Sequence, residues 1–222
     1  MSTHSIDYRD AVNHLPEGAI LVLQGVSWED YEQLLSGLTD RPGVRVTYDC
    51  GRLEIMSPLP EHEKCKEFIA RVVDVLCDEL DLNFEALGST TWKRKKDARG
   101  TEPDTCFYIA NAERITGKSN IDLNVDPPPD LVIEVDTTNE SVSKFSIYAA
   151  FGMPEIWRYD SKRHRAVMYE LRDQSYHEIP SSRSFPILTS DILSTFTERS
   201  ITEGQKTVLS AFRQWVKQPK SK

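Results

Sequence analysis

The sequence predicts an α/β protein with a mixed β-sheet flanked by helices. Segments with the apolar spacing of a core-facing helix occur between short β-branched segments, in the order helix, strand, strand, strand, helix, strand. Charged residues make up 28% of the 222 residues, which is ordinary for a globular protein. This length accommodates one large domain with appendages.

The first third of the chain gives the clearest helix. Polar residues 1–24 are expected to form a loosely attached arm, followed by a helix over residues 27–38 with Ser27 as its N-cap. Strands are expected at residues 44–48 and 52–56. The helix over residues 61–80 then presents one apolar stripe, formed by Cys65, Phe68, Ile69, Val72, Val73, Leu76 and Leu80.

The remaining elements follow from turn and cap signals. The Asp126-Pro-Pro-Pro-Asp130 segment interrupts regular structure, Thr137 and Glu140 have capping-box spacing, and Gly152 ends a helix. The expected strands are residues 84–93, 104–109, 131–135, 155–159, 166–171 and 175–179, and the expected helices are residues 138–151, 188–197 and 202–216. We therefore expect a core domain over residues 25–180 and a helical extension with a basic tail over residues 181–222.

Charge is distributed unevenly along the chain. The net charge of −8 disfavours a protein that coats nucleic acid nonspecifically, because phosphate contacts need a basic face. The segment WKRKKDARG at residues 92–100 nevertheless carries a local charge of +4, and residues 101–140 carry −7. Each segment is equally consistent with an ordinary solvated surface.

Several classes of protein are disfavoured. The sequence has no Walker A phosphate loop, no GxSxG elbow and no HExxH motif, and its four cysteines include no CxxC pair. No apolar run approaches the roughly 18 residues of a membrane span, and no secretory signal begins the sequence. We therefore expect a soluble, cytoplasmic protein.

Acidic side chains mark the apolar segment LVIEVD. Strand alternation places Glu134 and Asp136 on one face, where burial of an unpaired carboxylate would cost several kcal/mol. Asp104 opens another strand. If the two strands are antiparallel neighbours, Asp104 and Glu134 meet at one sheet edge. Such a pair repels unless a proton or a divalent cation is shared, and hard oxygen ligands suit Mg²⁺ or Mn²⁺.

Two further groups could join these carboxylates. Lys144 is expected in the early turns of the next helix, with Tyr148 one turn further on the same face. A lysine there could position a water and stabilise charge on a phosphate, although a lone helix lysine is more often a surface residue. His62 continues the apolar stripe of the long helix, and it could equally be a hydrogen-bonded histidine at a helix start.

Six phrases in the chain, in order, resemble the Uma2 family of putative restriction endonucleases, part of the PD-(D/E)XK nuclease superfamily. They are LEIMSPLPEHE, GSTTWKR, EPDTCFYI, LVIEVD, Lys144-x-x-x-Tyr148 and GMPEIWRYD, within roughly residues 20–180. The resemblance implies a restriction-endonuclease-like core and Mg²⁺-dependent hydrolysis of phosphodiester bonds in DNA.

The resemblance also implies roles for individual residues. Asp104 matches the aspartate of the PD motif and Glu134 the acidic residue of (D/E)XK, and both would bind the metal with help from the Val135 carbonyl. The motif has a lysine two residues after the acidic residue, but that position is Asp136 here, so the catalytic lysine would be Lys144. Asp136 would either add a third carboxylate or hold Lys144 by a charge pair. His62 belongs to the EH pair that family members often show.

Contacts with DNA and an alternative function complete the expectations. Trp92 and Tyr148, together with Lys93, Arg94, Lys95 and Lys96, are expected to contact a nucleic-acid strand, although both aromatic residues are more often core residues. An endonuclease that cuts both strands of a duplex needs two active sites, which favours a homodimer.

The alternative is a catalytically inactive nuclease fold that serves as a binding or assembly module. A glycosidase pair is disfavoured because it gives Lys144 no role.

Overall fold

The computed structural model describes residues 12, 14–38, 43–137 and 141–218. The chain divides into two compact units. The smaller unit contains residues 1–59 and 91–102, and the larger unit contains residues 60–90 and 103–222. The expected continuous core over residues 25–180 is thus divided, because residues 92–94 and 99–101 pair with the sheet of the smaller unit.

The described residues form eleven strands and six α-helices. In chain order they are β1 (Ile20–Leu23), α1 (Trp28–Gly37), β2 (Arg45–Asp49), β3 (Arg52–Met56), α2 (Pro60–Leu80), β4 (Glu85–Ala86), β5 (Trp92–Arg94), β6 (Arg99–Thr101), β7 (Thr105–Tyr108), α3 (Ala112–Ile115), β8 (Leu131–Asp136), α4 (Phe145–Phe151), β9 (Glu155–Asp160), β10 (Arg165–Arg172), β11 (Ser175–Ile179), α5 (Ser190–Glu203) and α6 (Gln205–Lys217). Single 3-10 turns occupy Lys95–Asp97 and Ser141–Lys144.

The smaller unit is built on an antiparallel sheet with the strand order β1-β3-β2-β6-β5. The Ser27 hydroxyl caps α1 by accepting a hydrogen bond from the Asp30 amide at 3.1 Å. Tyr31 of α1 stacks on Tyr48 of β2 with ring centroids 4.8 Å apart. A Cβ atom at Gly100 would lie 2.1 Å from the Tyr31 hydroxyl oxygen, so this close approach requires glycine.

The larger unit contains a mixed sheet with the order β11-β10-β9-β8-β7-β4, in which only the β8–β9 pair is parallel. The apolar stripe of α2 packs with α5, α6 and one face of β8 in a common core. Phe68 belongs to this core and is fully buried. Replacing such a phenylalanine by alanine typically costs about 3–5 kcal/mol, so Phe68→Ala would severely destabilise this unit.

The structure confirms most of the predicted elements, and it corrects three of them. Residues 20–23 of the expected arm form strand β1 and pair with β3. The single strand expected over residues 84–93 is two short strands in different sheets, because the chain turns at Gly88, whose φ is 52°. The helix expected over residues 138–151 begins as the 3-10 turn Ser141–Lys144, and the expected cap at Glu140 lies outside the described residues.

None of the helices in the described ranges combines the length and the apolar character that crossing a membrane requires.

Candidate active site

The two faces of strand β8 differ, since one is apolar and the other carries acidic side chains. Leu131, Ile133 and Val135 belong to the core with α2, whereas Glu134 and Asp136 alternate with them and point to the other face. All six residues of β8 are buried. The acidic side chains therefore need local partners within the larger unit.

Asp104 stands directly before β7, which is an antiparallel neighbour of β8, as the sequence argument required. The pairing of Thr105 with Ile133 places the preceding residue, Asp104, opposite Glu134 at the next position. Asp104 Oδ2 accepts a hydrogen bond from the Val135 amide at 2.7 Å. Asp104 Oδ1 is buried and has no hydrogen-bond partner among the described residues. This oxygen is open to a further ligand.

His62, in the first turn of α2, contacts the same aspartate. Its Nε2 donates to Asp104 Oδ2 at 2.8 Å, and the ring is only 3% exposed. Burial alone would lower the pKa of His62, but the hydrogen bond to Asp104 and the nearby negative charges raise it above the usual value. A positively charged His62 can therefore hold Asp104 in its ionised form.

Lys144 and Tyr148 approach Glu134 from the adjacent segment. The Lys144 Nζ lies 3.2 Å from Glu134 Oε1 and 3.0 Å from Oε2, and the Tyr148 hydroxyl donates to Oε1. Lys144 is the last residue of the 3-10 turn before α4, not a residue in the early turns of a longer helix. Tyr148 is fully buried, so its phenol positions Glu134 and cannot contact a nucleic-acid strand as we expected.

The two carboxylates differ in their proton affinity. Burial raises the pKa of Asp104, but the hydrogen bond and charge of His62, aided by Lys144, outweigh it and hold this pKa below the usual range. Burial raises the pKa of Glu134 to about 7, since the Lys144 charge offsets burial only in part and the Asp104 charge adds to it. Either a proton on Glu134 or a divalent cation would relieve the repulsion between the two carboxylates.

Asp136 has different partners from the ones we expected. Its Oδ1 accepts a hydrogen bond from the Ser141 amide at 2.9 Å, and its Oδ2 accepts one from Arg158 Nε. Arg158 lies on β9, opposite Glu134 in the parallel pairing. The Asp136 carboxylate therefore connects β8 to β9 and to the start of the 3-10 turn that leads to Lys144.

The donor set fits a hard divalent cation. Asp104 and Glu134 supply two carboxylates on neighbouring strands, and Mg²⁺ is commonly held by one or two carboxylates while waters and substrate phosphates fill its other positions. The unpartnered Asp104 Oδ1 supports this interpretation. The described residues contain no group of three or more His, Cys, Asp or Glu arranged around a metal, so a cation here would depend on such outside ligands.

Residues 93–96 of the basic segment lie in the smaller unit, and three of these four basic side chains are paired. Lys93 contacts Glu32 at 3.0 Å, Lys95 contacts Glu29 at 3.1 Å and Arg94 contacts Asp97. The expectation that Trp92 stacks on bases is corrected, because its ring is 2% exposed and no face is open to a base. Lys93, Lys95 and Lys96 remain exposed.

Sequence reasoning missed Arg158 as a neighbour of the candidate site. Its position follows from the parallel register of β8 and β9, which pairs it with Glu134. The signal was present in the strand EIWRYD, where Arg158 alternates with the buried residues Trp157 and Tyr159. Without the strand register, that alternation could not show which residue Arg158 would face.

The mixed sheet, the acidic face of β8 and the helix behind it define a nuclease-like domain of the restriction-endonuclease-like fold. The model of the Uma2 family, described as a putative restriction endonuclease, matches residues 28–202, and the chain belongs to that family. A solved structure, described as a putative nuclease of the DUF820 family from Anabaena variabilis, is similar with a TM-score of 0.52 and 16% identity. The similarity covers 78% of this chain and 99% of that one, and it supports the fold. Among curated proteins, none matches this sequence.

Proposed function

We propose that the chain is a Mg²⁺- or Mn²⁺-dependent endonuclease that hydrolyses phosphodiester bonds in DNA. One observation carries the proposal: the Lys144 ammonium lies 3.0 Å from the buried Glu134 carboxylate, which stands opposite a second buried carboxylate, Asp104. This arrangement combines acidic metal ligands with a positive charge for a phosphate. Membership in the Uma2 family supports the same activity.

The cation would be held by Asp104 and Glu134, with the Val135 carbonyl as the third ligand that we propose. A divalent cation at such a position polarises a phosphoryl oxygen and favours formation of a nucleophile from water. The protein residues around it have separate tasks. His62 keeps Asp104 ionised, and the Tyr148 hydroxyl orients Glu134.

Lys144 is the residue that would act on the reacting atoms. Its ammonium can donate a hydrogen bond to the attacking water and can stabilise negative charge on the phosphate as it develops. The water loses a proton as its oxygen forms a bond to phosphorus, the bond between phosphorus and the leaving oxygen breaks, and the leaving oxygen takes up a proton. Glu134 places Lys144 for this task by holding Nζ with both carboxylate oxygens.

The metal-dependent activity has a direct test. Supercoiled plasmid and single-stranded DNA are incubated with Mg²⁺ or Mn²⁺ and with the wild-type protein, Asp104→Asn or Asp173→Asn. Asp173 is an exposed turn residue with a φ of 47°, a conformation that asparagine also tolerates, so it is the matched control. We expect the wild type and Asp173→Asn to cleave DNA and Asp104→Asn to be inactive.

The same assay separates the endonuclease from an inactive binding module. A wild type that binds DNA and leaves it intact with either metal would contradict the endonuclease and support the alternative. A homodimer is also proposed, because two cuts in a duplex need two active sites, and light scattering in solution measures the mass that tests it.

We further propose that Lys93, Arg94, Lys95 and Lys96 contact the DNA backbone. Exposed ion pairs such as Lys95 with Glu29 contribute only about 0–1 kcal/mol, so phosphate can replace the acidic partner. Replacing all four basic residues by glutamine should lower DNA affinity and reduce the slope of its salt dependence by about 0.9 for each lost contact with duplex DNA. Binding of a labelled duplex at several salt concentrations measures this slope. An unchanged affinity and slope would leave this segment as a solvated surface.

A further inference from the structure

A pocket of about 210 Å³ lies in the larger unit on strands β9, β10 and β11. Three arginines, two carboxylates and a tyrosine contribute to its lining: Arg158, Arg163, Arg165, Asp160, Glu178 and Tyr169. The proposed catalytic residues do not include any of these side chains. The combination of a concave shape with several guanidinium groups suggests an anionic ligand.

The pocket and the candidate active site share one face of the sheet. In the parallel pairing of β8 and β9, Glu134 is opposite Arg158, and in the antiparallel pairing of β9 and β10, Asp160 is opposite Arg165. Paired residues on adjacent strands point to the same face. Neighbouring strands are about 4.8 Å apart, and β9 separates β8 from β10. Strand β10, which carries Arg165, therefore lies about 10 Å from β8, which carries Glu134.

Arg158 is held in place before any ligand arrives. Its Nε donates to Asp136, its side chain is 14% exposed, and Tyr169 lines the same pocket. Phe145 of α4 packs edge-on against the Tyr169 ring at 5.0 Å, which fixes that ring as well. A planar guanidinium fixed in this way is preorganised for a phosphate oxygen.

The other two arginines are accessible. Arg163, in the turn after β9, contacts Asp160 at 2.6 Å, but its side chain is 73% exposed and such a pair exchanges readily. Arg165 is exposed and forms no ion pair with any residue that the structure describes. Three arginines and two carboxylates line the pocket, a net charge of +1 before Asp136, the partner of Arg158, is counted, in a protein whose net charge is −8.

We propose that this pocket is a phosphate-binding subsite that holds the backbone of the nucleic-acid strand next to the bond to be cleaved. Arginine can bind phosphate through two parallel hydrogen bonds, and the shared sheet face leads from the pocket to Glu134. Its role beside a cleaved bond rests on the proposed function, whereas phosphate binding by the arginines does not. A backbone phosphate and the phosphate of a free nucleotide offer the same chemistry, so the test includes both.

The test is a binding experiment without cleavage. A short fluorescein-labelled single strand, and a duplex of the same sequence, are titrated in EDTA at several salt concentrations with the wild type, Arg165→Gln and Arg172→Gln. Arg172 is an exposed arginine at the end of the same strand, but it alternates to the opposite face and contacts Glu170, so it is the matched control.

We expect Arg165→Gln to reduce the salt slope by about 0.7 for the single strand and about 0.9 for the duplex, and to weaken binding. Adding Arg163→Gln should roughly double both losses, and Arg172→Gln should change neither. Slopes that match the wild type in both pocket variants would overturn the subsite, even if the wild type cleaves DNA in Mn²⁺. Conversely, a wild type that does not cleave DNA would leave this binding result intact.

Competitors distinguish the two sources of phosphate. Inorganic phosphate and thymidine 5′-monophosphate are added to the bound oligonucleotide in the same buffer. Weak competition from both, compared with unlabelled oligonucleotide, supports a subsite for a strand. Displacement by the mononucleotide at concentrations equal to the unlabelled oligonucleotide would overturn that assignment and make the pocket a nucleotide site.

Discussion

Two buried glutamates on adjacent strands of the larger unit have contrasting surroundings. Glu155 begins β9 and is completely buried, and each of its carboxylate oxygens accepts two hydrogen bonds. The donors are the Trp157 indole at 2.8 Å, the Arg183 amide at 2.9 Å, and the amide and hydroxyl of Ser184 at 2.8 and 2.7 Å. These neutral donors attach the loop before α5 to β9.

Glu134 on β8 is buried to a similar degree, but its neighbours include a lysine and a second carboxylate. It contacts Lys144 and Tyr148 and stands opposite Asp104, whose Oδ1 has no partner among the residues described. A carboxylate whose hydrogen bonds come from neutral groups stabilises a fold. We propose that Glu155 has this structural role, whereas Glu134, beside a lysine and another carboxylate, takes part in the chemistry.

The largest expected effect separates the two glutamates by activity. Glu134→Gln should lower the rate of DNA cleavage by roughly 10³-fold or more, because loss of a metal ligand removes several kcal/mol of transition-state stabilisation. Glu155→Gln should keep most of the activity but lower the free energy of unfolding by about 1–3 kcal/mol, since its new NH₂ group would face hydrogen-bond donors. Cleavage assays and urea unfolding of both variants check this, and equal losses of activity would remove the distinction.

The next effect concerns Lys144, whose ammonium group contacts Glu134. Lys144→Met should reduce cleavage by roughly 10²–10³-fold, the cost of removing one group that stabilises developing charge. Stabilisation of the fold by Mn²⁺ should persist, because the lysine is not a ligand. Lys162→Met, at an exposed turn, is the control and should behave as the wild type. If Lys144→Met also abolished the response to Mn²⁺, the lysine would have a structural role.

Metal binding itself should raise the stability of the folded protein. Mn²⁺ at about 100 times its dissociation constant should add about 2.7 kcal/mol to the free energy of unfolding by mass action. Asp104→Asn should lose this gain, and Glu198→Gln, an exposed residue on α5, should keep it. Thermal unfolding with increasing Mn²⁺ measures the effect, and a metal response in Asp104→Asn equal to that of the wild type would rule out Asp104 as a ligand.

The last effect, the smallest when taken per pH unit, is the pH dependence of the metal-free protein. In the folded state the pKa of Glu134 is about 7, above the usual 4.5, so between these values the folded state holds more protons than the unfolded state. The Glu134 contribution to the free energy of unfolding therefore falls as the pH rises, by at most about 1.4 kcal/mol per pH unit.

Unfolding in EDTA between pH 4.5 and 7.5 tests this contribution. The difference between the wild type and Glu134→Gln should show the fall, since His62 titrates in both proteins and its effect largely cancels. Parallel curves would show that folding leaves the pKa of Glu134 at its ordinary value.

The sequence contained most of what is needed for the fold and for the acidic pair. The apolar stripe of α2 and the alternation in β8 are local patterns, and both elements lie where those patterns predict. The meeting of Asp104 and Glu134 followed from the order of two strands and one assumption, their antiparallel pairing, which the structure confirms.

The contacts that could not be predicted depend on distances between segments far apart in the chain. His62 and Asp104 are 42 residues apart, and only the packing of α2 on the sheet brings them to 2.8 Å. Asp136 pairs with Arg158 because β9 lies beside β8 in a parallel register, which no local pattern specifies. Trp92 was the opposite case, since its basic neighbours indicated a surface residue and its ring is buried.

The most direct test of the acidic pair as a metal site is a crystal structure of the protein grown with Mn²⁺, with the metal located by its anomalous scattering. We predict one peak roughly 2.0–2.6 Å from Asp104 Oδ1 and from a Glu134 oxygen, with no such peak at Glu155. A well-ordered structure at millimolar Mn²⁺ with no peak between Asp104 and Glu134, or with the metal bound elsewhere, would contradict the account.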